Sequence, residues 1–193
     1  MDVLLKNITR HYTLAFLVFW LSAMLLANPE TSALLTFVSV LIVHGWVYFV
    51  HRGLHIAKQY GILDILNTHM GYHHQDEKTI PRSLELFYEG ITDLTMNLSL
   101  FGVQKLCGLN IIPFSVILLF SLTYMSIHII NYSMLGSTFH RRHHETLEKN
   151  FAPDAMDHLC GTNFNNEYED LNPTTLNIFG VMFLLYPLKN YIM

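Results

Sequence analysis

The sequence predicts an all-α integral membrane protein: four transmembrane helices in two hairpins, with a cytosolic helical cap that carries a histidine-rich two-metal site. Three observations predict it. The 193 residues are 51% hydrophobic and only 13% charged, whereas a soluble domain is about one-quarter charged. Apolar runs of membrane-spanning length recur along the chain. Eight of the twelve histidines fall in three tight clusters: His51 and His55; His69, His73 and His74; His140, His143 and His144.

The length suits one domain over residues 1–193. A mean hydropathy of +0.31 agrees with a membrane protein. The net charge of -4 is mild, and no basic block points to a nucleic-acid partner. Cys107 and Cys160 form neither a disulfide framework nor a CxxC pair, which excludes cysteine-rich structural zinc. Both read as packing residues.

The first span is residues 12–28. Lys6 and Arg10 precede it, and it is long enough to be retained rather than cleaved. The second is 31–50, joined to the first through Pro29-Glu30. The third, 90–107, is interrupted by Asp93, Asn97 and Gln104. The fourth is 111–130, joined to the third through Gly108-Leu109-Asn110. A further apolar run, 174–188, is short and contains Gly180 and Pro187, so it reads as interfacial or re-entrant. Four spans place the N-terminus, residues 51–89 and residues 131–193 on one side. That side holds ten of the eleven lysines and arginines, all but Lys105. The positive-inside rule makes it the cytosol, and every histidine cluster lands there.

Imidazole is the commonest protein metal ligand. His51 and His55 lie on one face of a helix continuing from the second span, with His44 and Tyr48 on the same stripe. His69 and His73 repeat the spacing, and His74 adds a neighbouring direction. His140, His143 and His144 share one face if helical. Eight imidazoles exceed the four ligands of one tetrahedral zinc and suit two ions with open positions. Ligand type alone leaves Fe, Zn, Cu and Ni open. His128, His44 and His158 lie outside the clusters. His44 reads as a packing or supporting residue before a ligand, and His158 likewise. Glu85 and Glu89 read as a solvated helix face.

These residues resemble the fatty acid hydroxylase superfamily, the membrane di-iron group that includes sterol desaturases and C4-methyl sterol oxidases. The likeness covers residues 40–165. The family pattern acidic-x-x-x-Tyr-x-x-His-Arg-x-x-His is matched by His44, Tyr48, His51, Arg52 and His55. His-x-x-x-His-His is matched by His69, His73 and His74. His128 with Asn131, then His140-Arg141-Arg142-His143-His144, follow in order. Asn150-Phe151-Ala152 and Asp157-His158-Leu159-Cys160-Gly161-Thr162 complete it. Two positions depart: His44 replaces an acidic residue and Cys160 a phenylalanine.

The resemblance implies a di-iron site, with zinc a possible occupant of isolated protein, held by His51, His55, His69, His73, His74, His128, His140, His143 and His144. It implies O₂ as co-substrate in hydroxylation or desaturation of a fatty acyl or sterol lipid from the bilayer. It implies supporting roles for His44, Tyr48, Asn131, Asp157 and His158, with Asn131 facing a water at the metal. With no fused haem domain, electrons come from a separate carrier and reductase. The family expectation is the endoplasmic reticulum. The competing expectations are a zinc-dependent lipid enzyme without O₂ chemistry, a membrane metal-binding protein, and an inactive lipid-binding relative.

Overall fold

The computed structural model describes residues 13–61, 69, 70, 74, 80–164 and 174–192. Helix α1, Thr13–Leu26, is apolar throughout. It stops before Pro29, where the Asn28 side chain accepts the Glu30 N–H at 3.0 Å and turns the chain. Ser32 then caps α2, Ala33–Gln59, by accepting the Leu35 N–H. The first hairpin is as predicted, and α2 carries His51 and His55 in its last turns.

Helix α3, Arg82–Leu106, starts directly after Pro81, eight residues before the predicted third span. Gln104 closes its C-terminal turn by accepting the N–H groups of Ile111 and Ile112 at 3.1 and 2.8 Å. Helix α4, Phe114–Ser126, follows Pro113 and continues as a π-helical stretch, Ile127–Met134. Helix α5, Thr138–Thr146, is capped by Ser137 and holds His140, His143 and His144. The short α6 is Asp154–Cys160. Helix α7, Thr174–Leu185, leads through a 3₁₀ turn, Tyr186–Leu188, to α8, Lys189–Ile192.

The core gathers Phe19, Ala23 and Leu26 of α1, Val40, Val43 and Val47 of α2, Met96 and Leu100 of α3, Val116 to Phe120 of α4, and Ile178, Val181 and Leu185 of α7. Helix α3 packs tightly on the π stretch at Gly90, where a Cβ would stand 3.0 Å from Ile129 Cδ1. The polarity is inverted relative to a soluble bundle. Asp93, Asn97, Gln104, Ser39 and Ser121 are buried, while Leu21, Leu34, Phe49, Phe87, Leu106 and Phe183 are exposed.

Two expectations need correction. Glu85 and Glu89 are buried, not solvated. Arg82 is the reason: its guanidinium lies 2.6 Å from Glu85 and 3.8 Å from Glu89 and donates to the Ser133 carbonyl at 2.6 Å. Ser133 in turn donates to Glu89 at 2.6 Å, latching α3 to the π stretch. In the run 174–188, Gly180 does not break the helix, because α7 passes through it and packs along α1 and α4, whereas at Pro187 the α-helix has given way to the 3₁₀ turn, as expected. The polar residues that interrupt the third apolar run, Asp93, Asn97 and Gln104, form the inward face of α3. Among the described residues, two helical segments, Ala33–Gln59 and Phe114–Met134, are long and apolar enough to cross a membrane.

Candidate metal centre

Five histidines from three parts of the chain converge. His51 and His55 come from α2, His69 and His74 from the segment after it, and His143 from α5. One ring nitrogen of each lies within 4.8 Å of all the others. Opposite nitrogens around an ion bound at 2.0–2.1 Å would be separated by about 4.2 Å, so the group is close to a coordination shell. His51 Nδ1 donates to the Phe151 carbonyl, and His143 Nδ1 donates to the Lys149 carbonyl at 2.5 Å. A carbonyl only accepts, so each Nδ1 holds the proton and each Nε2 presents a lone pair. Both Nε2 atoms are buried with no hydrogen-bond partner among the described residues. Inward lone pairs with protons committed behind them are what a cation requires.

A second group adjoins the first. His140 Nε2 lies 3.3 Å from His128 Nε2 and 2.9 Å from His144 Nε2. His128 Nδ1 faces Asp93, 3.0 Å from Oδ1 and 2.9 Å from Oδ2. The carboxylate therefore accepts a hydrogen bond from the protonated Nδ1 and turns the His128 Nε2 lone pair toward its neighbours. The rings of His74 and His144, 4.2 Å apart, join the two groups. The five-histidine group could hold a metal ion.

Asp157 organises the wall behind His51. Its carboxylate accepts from the backbone N–H of Phe151 at 2.9 Å and of Ala152 at 2.7 Å, and from Thr162 Oγ1 at 2.7 Å. These bonds hold a loop in which Asn150 and Ala152 adopt positive φ, 57° and 53°. Such backbone persists only where its surroundings over-determine it. The loop's reward is the Phe151 carbonyl that orients His51. Tyr48, fully buried, meets Thr162 Oγ1 at 2.9 Å and Arg52 at 3.2 Å, so it braces this wall from α2.

Burial, reinforced by neighbouring imidazoles, holds His69, His74 and His140 well below the ordinary histidine value. Burial takes His143 down to about 4, against the raising effect of its bond to Lys149. Burial also raises Asp157 to about 7. Below pH 6.5 the unfolded chain binds protons on these four imidazoles that the folded chain refuses, so they subtract stability as pH falls from 6.5 toward 4. Asp157 acts oppositely over its own window, between 3.8 and about 7. Four rings outweigh one carboxyl. The metal-stripped protein is expected to melt at progressively lower temperature as pH drops below 6.5; a flat profile in a pH series of thermal melts would contradict the neutral cage.

The structure thus brings together eight of the nine predicted ligands: His51, His55, His69, His74 and His143 in one group, His128, His140 and His144 in the other. His73 lies outside the described residues. Among the supporting candidates, Tyr48 and Asp157 stand behind His51. Asn131 instead accepts from Asn177 of α7 at 3.1 Å. His158 lies 3.6 Å from Asp154 and meets Asn163 at 3.1 Å, outside both groups. His44 is bonded to the Val40 carbonyl at 2.7 Å and packed among phenylalanines, two turns of α2 before His51. Sequence reasoning missed Asp93 as a histidine partner. The available signal was an ionisable residue inside an apolar run, where it needs a partner.

Several spaces adjoin the histidines, among them a cleft of about 340 Å³ beside Arg82, Glu89, His140 and His144. A small one between the groups is lined by His51, His128, His140, Tyr124 and Tyr132. A larger apolar cavity of about 460 Å³ extends from Tyr124, Tyr132, Ala152 and Asp154 to Phe16, Phe37 and His44. Compared with known proteins, the chain matches no family model, no curated protein and no solved structure.

Proposed function

We propose that the chain is a membrane-embedded, O₂-dependent di-iron oxidoreductase that hydroxylates, or desaturates, a fatty acyl or sterol lipid. The observation that carries this reading is the contact between an apolar cavity and a two-group histidine centre. Tyr124, Tyr132, Ala152 and Asp154 line both the cavity and the space beside His51, His128 and His140. A lipid in the cavity would present a C–H bond to that space.

Iron bound there supplies the O₂ and redox chemistry. Hydroxylation places one oxygen atom in the C–H bond and the other in water, consuming two electrons and two protons. A separate carrier protein and reductase supply the electrons. The chain's own work is to hold neutral imidazoles in place, through Asp93, Phe151 and Lys149, and to keep the cavity apolar.

The membrane reading rests on the inverted polarity and the two long apolar segments. Residues paired inside and leucines outside suit lipid rather than water. In this reading α1, α2, α3 and α4 with its π continuation are the four spans, the histidine centre and both termini are cytosolic, and the compartment is the endoplasmic reticulum.

The test is elemental analysis of protein expressed anaerobically with iron, followed by lipid analysis under ¹⁸O₂. About two irons per chain and an ¹⁸O-labelled lipid, dependent on reductant, are expected. Two zincs with product formed without O₂ would replace this reading with a hydrolase or lyase. One metal or none, with no product, would leave a metal-binding or inactive lipid-binding protein.

A further inference from the structure

His44 and Thr123 stand out in the apolar cavity. Its walls near them are Phe16, Phe19, Phe37 and Phe120. Three of these rings enclose His44, with centroids 6.0, 5.7 and 4.7 Å from the imidazole for Phe16, Phe19 and Phe120. His44 Nδ1 is 2.7 Å from the Val40 carbonyl. That oxygen only accepts, so Nδ1 carries the proton. An ionised ring packed among three phenylalanines would be costly, so the ring is neutral and Nε2 is a hydrogen-bond acceptor. Thr123 lines the same cavity, is 4% exposed, and its Oγ1 has no hydrogen-bond partner among the described residues. A buried hydroxyl without a partner costs free energy unless a ligand completes it.

We propose that His44 and Thr123 form a recognition site for the hydroxyl group of a lipid substrate, at the end of the molecule remote from the oxidised carbon. The lipid's O–H donates to His44 Nε2, and Thr123 Oγ1 completes the bond from the other side. His44 precedes His51 by seven residues of one helix, about 10 Å along its axis at 1.5 Å per residue. The hydroxyl and the reacting C–H bond are therefore on the order of 10 Å apart. A lipid whose only polar group adjoins the oxidised carbon does not meet this requirement. The inference rests on the lipid-oxidising reading for the word substrate, but the site itself needs neither iron nor O₂.

The test is equilibrium binding of radiolabelled 1-hexadecanol and of its methyl ether to the full chain in detergent, with zinc in the metal sites. Zinc separates this question from oxygen chemistry. The alcohol is expected to bind about five- to tenfold tighter than the ether, as one hydrogen bond in an apolar site provides. His44→Phe, which keeps the aromatic packing, and Thr123→Val, which keeps the volume, should each reduce that preference and leave ether binding within about twofold. Equal affinity for the two ligands, no binding of either, or a preference that survives in both variants would overturn the proposal. Hydroxyl-dependent binding in a protein that never oxidises lipid would uphold the site and remove the oxidoreductase reading.

Discussion

Replacing His51 with alanine is expected to empty the five-histidine group. The ring is 3% exposed, its Nδ1 is committed to the Phe151 carbonyl, and its Nε2 faces the other four histidines. Loss of a partner behind a ligand already weakens metal binding by about 10–100-fold, and loss of the ligand itself should exceed that. The measurement is competition against a chromogenic chelator, with metal content read before and after dialysis. Lipid oxidation should disappear with the metal. The same change leaves the buried Phe151 carbonyl without its donor, at a cost of about 1–3 kcal/mol, so the melt should fall while the fold survives. A His51→Ala protein that keeps two tightly bound ions would remove His51 from the ligand set.

Asp93→Ala is expected to weaken metal binding in the other group by about 10–100-fold, although Asp93 touches no ion. The carboxylate is 1% exposed and faces His128 Nδ1 with both oxygens. Without it the imidazole can rotate or shift its proton to Nε2, which removes the lone pair the cation needs. A buried N–H left without a partner also costs about 1–3 kcal/mol. Asp93→Asn keeps an acceptor in place and should lose less. Equal affinity in wild type and both variants, measured by chelator competition, would reduce Asp93 to a packing residue. The two substitutions act on different groups, so each should spare much of the other ion's affinity, except where His74 and His144 meet.

The histidine set was legible because its information is local. His51 and His55, like His140, His143 and His144, lie on single helices, where spacing dictates a shared face. Both hairpins were equally legible, since Pro29 and Gly108 mark turns that hydrophobic runs flank. The resemblance added His128, which spacing alone would have left beside His44 and His158 as an isolated ring.

What failed depended on partners far along the chain. Glu85 and Glu89 looked solvated because carboxylates usually are. Arg82 reaches across to Ser133 and makes their burial tolerable. The 174–188 run looked broken because Gly180 and Pro187 weaken a helix. At Gly180 packing against α1 and α4 outweighs that propensity, while the α-helix does end before Pro187. The π-helical turn at Ile127–Met134, which carries His128, has no signature in the residues themselves.

By itself the sequence determined that this protein is helical, unusually apolar for its charge, and furnished with histidines at repeated helical spacings. Periodicity and composition are properties of neighbouring residues, so they survive without a fold. The tertiary structure decided which histidines share a group, that His143 faces His51 while His140 stands between His128 and His144, and that Asp93 and the Phe151 carbonyl orient the rings behind them. It also decided that an apolar cavity reaches this centre and holds His44 and Thr123 along its wall. Those are distances between residues tens of positions apart, set by how the helices pack.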